Sequence, residues 1–115
     1  VTPTRIDLLM AEELAGRIAQ ASATVGETDR AWSRAALLRA ARRSHVRIGQ
    51  VPPGGAVRRG IPLDAGQRAR IDAAVERSGL TLSDWVRSVL SRAADVEISE
   101  DLAGSRKSTE PGKKR

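Results

Sequence analysis

Gly79-Leu80-Thr81-Leu82-Ser83-Asp84-Trp85-Val86-Arg87-Ser88-Val89-Leu90 decides the reading of this chain. Gly79 follows an apolar-striped segment and ends a helix there, because glycine accepts the left-handed backbone of a C-terminal cap. Thr81 caps the next helix. Thr81-Leu82-Ser83-Asp84 has the form of a capping box, with Asp84 expected to reach back to the Thr81 amide. Trp85, Val86, Val89, Leu90 and Ala93 recur at helical spacing and predict a buried stripe.

The same pattern stands 53 residues earlier, where Gly26, Thr28, Trp32, Arg34, Leu37 and Arg39 match Gly79, Thr81, Trp85, Arg87, Leu90 and Arg92. The match extends back through Arg17 and Arg70, Ile18 and Ile71, and Ala21 and Ala74 to Arg5 and Arg58. Residues 4–42 and 57–95 are thus one unit written twice without a gap, and the only 2 tryptophans coincide. Each copy is too short to bury an adequate core alone, so the copies must pack on each other or on another chain.

Each copy reads as strand, helix, turn, helix. Ile6, Leu8 and Met10 alternate with Arg5, Asp7 and Leu9, which predicts a half-buried strand. A helix over about 11–25 follows, with Glu12 and Glu13 in its first turn, where the helix dipole favours acids. Leu14, Ile18, Ala21 and Val25 form its expected stripe. Thr28 opens a second helix over about 29–43 that buries Trp32, Ala36 and Leu37. In the second copy the strand covers 57–63 and is weakened by Gly60 and Pro62. Its first helix covers about 64–78 and buries Ile71, Ala74 and Val75. The expected organisation is a first unit at 1–43, a basic Pro/Gly linker at 44–56, a second unit at 57–95 and a flexible polar tail at 96–115.

Net charge is +6, from 20 basic and 14 acidic residues. The excess sits in the linker (Arg42, Arg43, Arg47) and in the second copy, and it is nearly all arginine. Arginine forks onto phosphate and onto guanine, so a polyanion partner is expected. No cysteine and 1 histidine, His45, leave no basis for a disulfide framework, a metal centre or a Ser-His-Asp triad. No nucleophile–base pair or phosphate loop stands out either, so neither an enzyme nor a cofactor is expected. No apolar run approaches membrane-spanning length. The sequence reads as a cytoplasmic protein without a membrane association.

The second copy resembles the ribbon-helix-helix family of bacterial DNA-binding proteins. The resemblance is carried by Ile61-Pro62-Leu63-Asp64, by Arg70-Ile71-Asp72 and by the stretch from Gly79 to Leu90. Through the 53-residue shift it extends to the first copy and so to about two-thirds of the chain. It implies a mostly α fold made of two tandem ribbon-helix-helix units, β-α-α twice, joined through an antiparallel two-stranded ribbon. It also implies double-stranded DNA as the partner, with the ribbon inserted in the major groove. Both strands could come from one chain, as a covalent pseudo-dimer, or equivalent copies of two chains could pair as a homodimer. Several copies could line up along DNA.

Carried over by position, the base-contacting residues would be Arg5, Asp7 and Leu9 from the first strand, and Arg58 and Gly60 from the second. Pro62 is the third outward position there. Gly60 and Pro62 depart from the family's usual polar readers. Arg5 and Arg58 would take guanine, Asp7 could accept from cytosine N4, and Leu9 could touch a thymine methyl. The amides near Thr28 and Asp29, and near Thr81, Leu82 and Ser83, would hold backbone phosphates. Arg59 falls on the inward side of its strand and is expected to snorkel out to phosphate. Arg42, Arg43 and Arg47 are either solvated linker or further phosphate contacts. Thr28 and Thr81 also serve as plain caps, and the tryptophans are read as core. Arg34, Arg39, Arg87 and Arg92 are read as helix-surface charges.

The resemblance implies a bacterial transcriptional regulator, most commonly a repressor. Plasmid-transfer accessory, partition and antitoxin proteins are further uses of such folds, placing the chain at nucleoid or plasmid DNA. An antitoxin would use the tail, through Val96, Ile98 and Leu102, to meet a protein partner. A helical protein-interaction module without a DNA role is the reading from a different class.

Overall fold

The computed structural model describes residues 5–43 and 51–108. Six elements follow one another: β1 (Ile6–Met10), α1 (Glu12–Thr24), α2 (Asp29–Ala41), β2 (Val57–Ile61), α3 (Ala65–Ser78) and α4 (Leu82–Ser108). The fold is mostly helical, with four helices and a two-stranded antiparallel sheet among the described residues.

The sheet joins the two copies within the chain. Ile6 pairs with Ile61, Asp7 with Gly60, Leu8 with Arg59, Leu9 with Arg58 and Met10 with Val57. Asp7 therefore faces its own counterpart in the 53-residue shift. A local two-fold relation between the copies runs through that pair, and Arg5 and Arg58 stand toward opposite ends of the ribbon. Ile6, Leu8, Met10 and Ile61 are buried, whereas Arg5, Asp7, Leu9 and Arg58 are exposed. The period-2 reading of the first strand thus places its two faces as expected.

Beneath the sheet the helices interleave. The heaviest helix contacts cross between copies, α1 on α4 and α2 on α3, and the counterpart helices α2 and α4 also pack together. β1 touches α4 of the other copy and β2 touches α2. One core results, with Trp32, Trp85, Leu8, Met10, Leu14, Leu37, Ile61, Ile71 and Leu90 fully buried. Neither copy closes a core by itself, which fits their length.

The turns follow the expected chemistry. Gly26 has φ 73° and Gly79 φ 77°. After α1, the Gly26 amide donates to Ala23 O at 3.2 Å and the Glu27 amide to Ser22 O at 2.9 Å, the paired bonds that close a helix through a left-handed residue. Thr28 Oγ1 accepts from the Ala31 amide and Thr81 Oγ1 from the Asp84 amide, each at 3.1 Å. The second half of the expected box at Thr81 does not form, because the Asp84 carboxylate accepts instead from Arg87 Nη2 at 2.6 Å. A complete capping box opens α3: Asp64 Oδ1 accepts from the Gln67 amide at 2.7 Å, and the Asp64 amide donates to Gln67 Oε1 at 3.0 Å.

Val75 and Ala93 are only partly buried, not core as expected, and three further expectations are corrected. Val25 is not part of the buried stripe, since it caps α1 and is 45% exposed. α4 does not end near Asp95 but runs 27 residues to Ser108, through most of the stretch read as a flexible tail. Trp32 Nε1 donates to Glu97 Oε1 at 3.3 Å, which ties the helix to the core beyond Asp95. Arg87 is not a surface charge. Its side chain is only 13% exposed, and it donates to Pro52 O at 3.2 Å and Leu9 O at 3.1 Å as well as to Asp84. One guanidinium thus fastens the linker, the first strand and α4 together.

Gly55 completes this attachment. A Cβ there would lie 2.6 Å from both Met10 O and Ala11 Cα, inside any allowed contact. Gly55→Ala is therefore expected to lower stability by about 1–3 kcal/mol, the usual cost of overpacking. Urea unfolding monitored by tryptophan fluorescence checks this.

A candidate nucleic-acid interface on the ribbon

The outward face of the ribbon carries Arg5, Asp7 and Leu9 from the first copy and Arg58, Gly60 and Pro62 from the second. Alternation fixes this set, because neighbours on a strand point to opposite faces. Leu9 is 47% exposed, one of few large apolar side chains left in solvent. Arg5 and Asp7 are two apart on the same face and form an ion pair, with Arg5 Nε 3.1 Å from Asp7 Oδ1. Arg58 and Leu9 oppose each other across the strands.

Arg59 pairs with Leu8 on the inward register yet is exposed. Its Nη1 donates to Arg58 O at 3.1 Å. Its side chain borders a small cleft shared with Asp29, Arg30 and Ser33 at the start of α2. It thus leaves the core side of the strand at the ribbon's edge, as long cationic side chains do.

The N-terminal turn of α2 borders the ribbon at that cleft, and α4 reaches the ribbon one turn in from its start, through the Arg87–Leu9 bond. In each turn the threonine takes the third amide. Helix geometry leaves the amides of Asp29 and Arg30, and of Leu82 and Ser83, without intrahelical acceptors. The two turns differ in charge. The Asp29 carboxylate sits at the first position of α2, held by Ser22 Oγ at 2.7 Å, whereas Leu82 occupies that position in α4. Asp84 is paired with Arg87. The turn at Thr81, Leu82 and Ser83 is therefore the better anion site of the two.

The other basic candidates are not brought here. Arg42 and Arg43 follow the last turn of α2, about 20 Å from its start for a helix of that length. There Arg77 Nη2 caps the helix by donating to Ala41 O at 3.2 Å and Arg43 O at 3.4 Å. Arg47 and His45 lie outside the described residues. Arg17 stands in the sequence only as the counterpart of Arg70, with no role assigned, yet it joins the copies by pairing with Asp95 and donating to Ser91 Oγ at 2.7 Å. Its match to Arg70 is the only sequence signal for it, because the packing of α1 on α4 is encoded by no local pattern.

Among the described residues no group of three His, Cys, Asp or Glu could hold a metal ion. No helix there is long and apolar enough to cross a membrane. No family model, curated protein or solved structure matches the chain.

Proposed function

We propose that this chain is a tandem ribbon-helix-helix protein that binds double-stranded DNA by inserting the β1–β2 ribbon into the major groove. The observation that carries the reading is the antiparallel pairing of β1 with β2 about Asp7 and Gly60, with two arginines on the outward face. A two-stranded ribbon fits the major groove, and alternate side chains would then meet base edges. Arg5 and Arg58 would take guanine. The start of α4, and less strongly that of α2, would hold phosphates on either side.

The outward faces of the strands are Arg-Asp-Leu and Arg-Gly-Pro, so the site would be non-palindromic although the scaffold is nearly two-fold. A regulator or repressor acting at such a site is the role we favour. Plasmid transfer, partition and antitoxin roles would use the same interface.

One observation favours a protein-binding reading instead. The C-terminal half of α2 and the middle of α4 line a cleft with Ala36, Ala40, Val89, Ala93 and Val96, rimmed by Arg39, Arg43 and Arg92 and by Glu97 and Glu100. A gel shift on random genomic fragments at moderate salt separates the two readings. Retention of particular fragments supports DNA recognition, and uniform absence of retention supports the interaction module.

Arg59 gives a further check. As a phosphate contact it carries no sequence information. Arg59→Ala is expected to weaken all duplexes alike and to reduce the slope of log affinity against log salt by about 1. Fluorescence anisotropy titrations at several salt concentrations measure this.

A further inference from the structure

The two arginines of the ribbon are counterparts in sequence but not in surroundings. Asp7 engages one edge of the Arg5 guanidinium, with Nε to Oδ1 at 3.1 Å and Nη2 to Oδ2 at 3.5 Å. A guanidinium is a planar fork, so this leaves Nη1 and the outer N–H of Nη2 to donate elsewhere. Those donors form the edge that meets guanine O6 and N7.

Gly60 leaves room for the arrangement. It stands opposite Asp7, and a Cβ there would meet Arg5 Cδ at 3.1 Å, Arg5 Nε at 3.3 Å and Asp7 Oδ1 at 3.4 Å. The ion pair therefore lies across the bare backbone of the other strand. The pair itself is well exposed, at 63% and 51%, and such surface pairs add little to stability. Its consequence is order rather than stability, because a long flexible side chain is held in one direction.

Arg58 has no such support. The position two residues on, where Asp7 stands in the first copy, is Gly60. Across the strands it faces Leu9. Its side chain makes no ion pair among the described residues.

We infer that Asp7 is a positioning residue that locks Arg5 over Gly60 as a guanine reader, so that one half of the DNA site is read stringently and the Arg58 half loosely. This rests on the DNA-binding reading above. Asp7 would not read cytosine itself, because its oxygens are directed at Arg5. Holding Arg5 beforehand removes ordering that binding would otherwise have to supply. Arg58 must be ordered on contact.

Selection from a random-sequence duplex library tests this, using the full chain as wild type, Asp7→Ala, Asp7→Asn, Gly60→Ala and Arg5→Ala. The wild type should enrich one guanine strongly and show a weaker preference on the other side. Asp7→Ala should cut the preference for the strong guanine about two- to fivefold, the range of an exposed ion pair, and Gly60→Ala should cut it by less. The weaker half should keep its preference. Asp7→Asn should fall between, since one amide oxygen can still accept from Nε. Affinity for unselected duplex should rise slightly in Asp7→Ala, because an acid leaves the DNA-facing surface. Loss of the guanine in Arg5→Ala but full retention in Asp7→Ala would overturn the inference while leaving DNA reading intact. Loss of a cytosine rather than a guanine in Asp7→Ala would also overturn it. No enrichment by the wild type would remove the DNA-binding reading itself.

Discussion

Trp85→Ala should cost about 3–5 kcal/mol of stability, the range for emptying a large aromatic site. Trp85 is 1% exposed and belongs to the single core that both copies build. A small domain holds only about 5–15 kcal/mol in total, so the variant should be largely destabilised at ambient temperature. The form of the transition is as informative as its midpoint. α1 packs on α4 and α2 on α3, so the copies should unfold together. Calorimetry should record one transition moved down in temperature. Two separated transitions, with the first copy melting as in the wild type, would contradict a shared core.

Arg5→Ala and Arg58→Ala should each cost about 1–3 kcal/mol of specific DNA binding, with little change in stability. Both residues are exposed and outside the core. Losing either should narrow the gap between the preferred duplex and a scrambled one, rather than abolish binding to both. Phosphate contacts supply the sequence-independent part, and on the proposed reading those would come from Arg59 and the helix starts. Arg5→Ala should have the larger effect, because Asp7 already holds that side chain in place.

Much of this architecture was legible before any coordinates. Ile6, Leu8 and Met10 declare a strand through period-2 alternation, and the structure buries all three. Gly26 and Gly79 declare left-handed caps because no other residue adopts positive φ so readily. Thr28 and Thr81 declare helix starts through a local side-chain bond. Each of these signals acts within a few residues, so the sequence displays it directly.

What could not be read depends on contacts between distant segments. Arg87 looks like any arginine on a helix, and its acceptors at Leu9, Pro52 and Asp84 come from three different segments. Arg17 finds Asp95 and Ser91 only because α1 crosses the other copy. The length of α4 was missed because Glu97, Ser99, Glu100 and Asp101 break the apolar period. Those residues still allow a helix, and Glu97 accepts from Trp32. The capping box at Asp64 and Gln67 is different, because its spacing is local and stands in the sequence.

The ribbon face lies between these cases. Its outward residues follow from alternation, but its register does not. Duplication requires that some position oppose its own counterpart in a symmetric antiparallel pair, and the fold selects Asp7 and Gly60. Asp7 stands beside Arg5 in any register, but that choice sets a glycine beneath the pair.

The most direct test is a fluorescence anisotropy titration of the Arg5→Ala/Arg58→Ala double variant against the duplex selected by the wild type and against a scrambled duplex. The wild type should prefer the selected duplex, and the double variant should bind both duplexes alike with a largely preserved salt dependence. A double variant that keeps the full wild-type preference would contradict recognition by the ribbon.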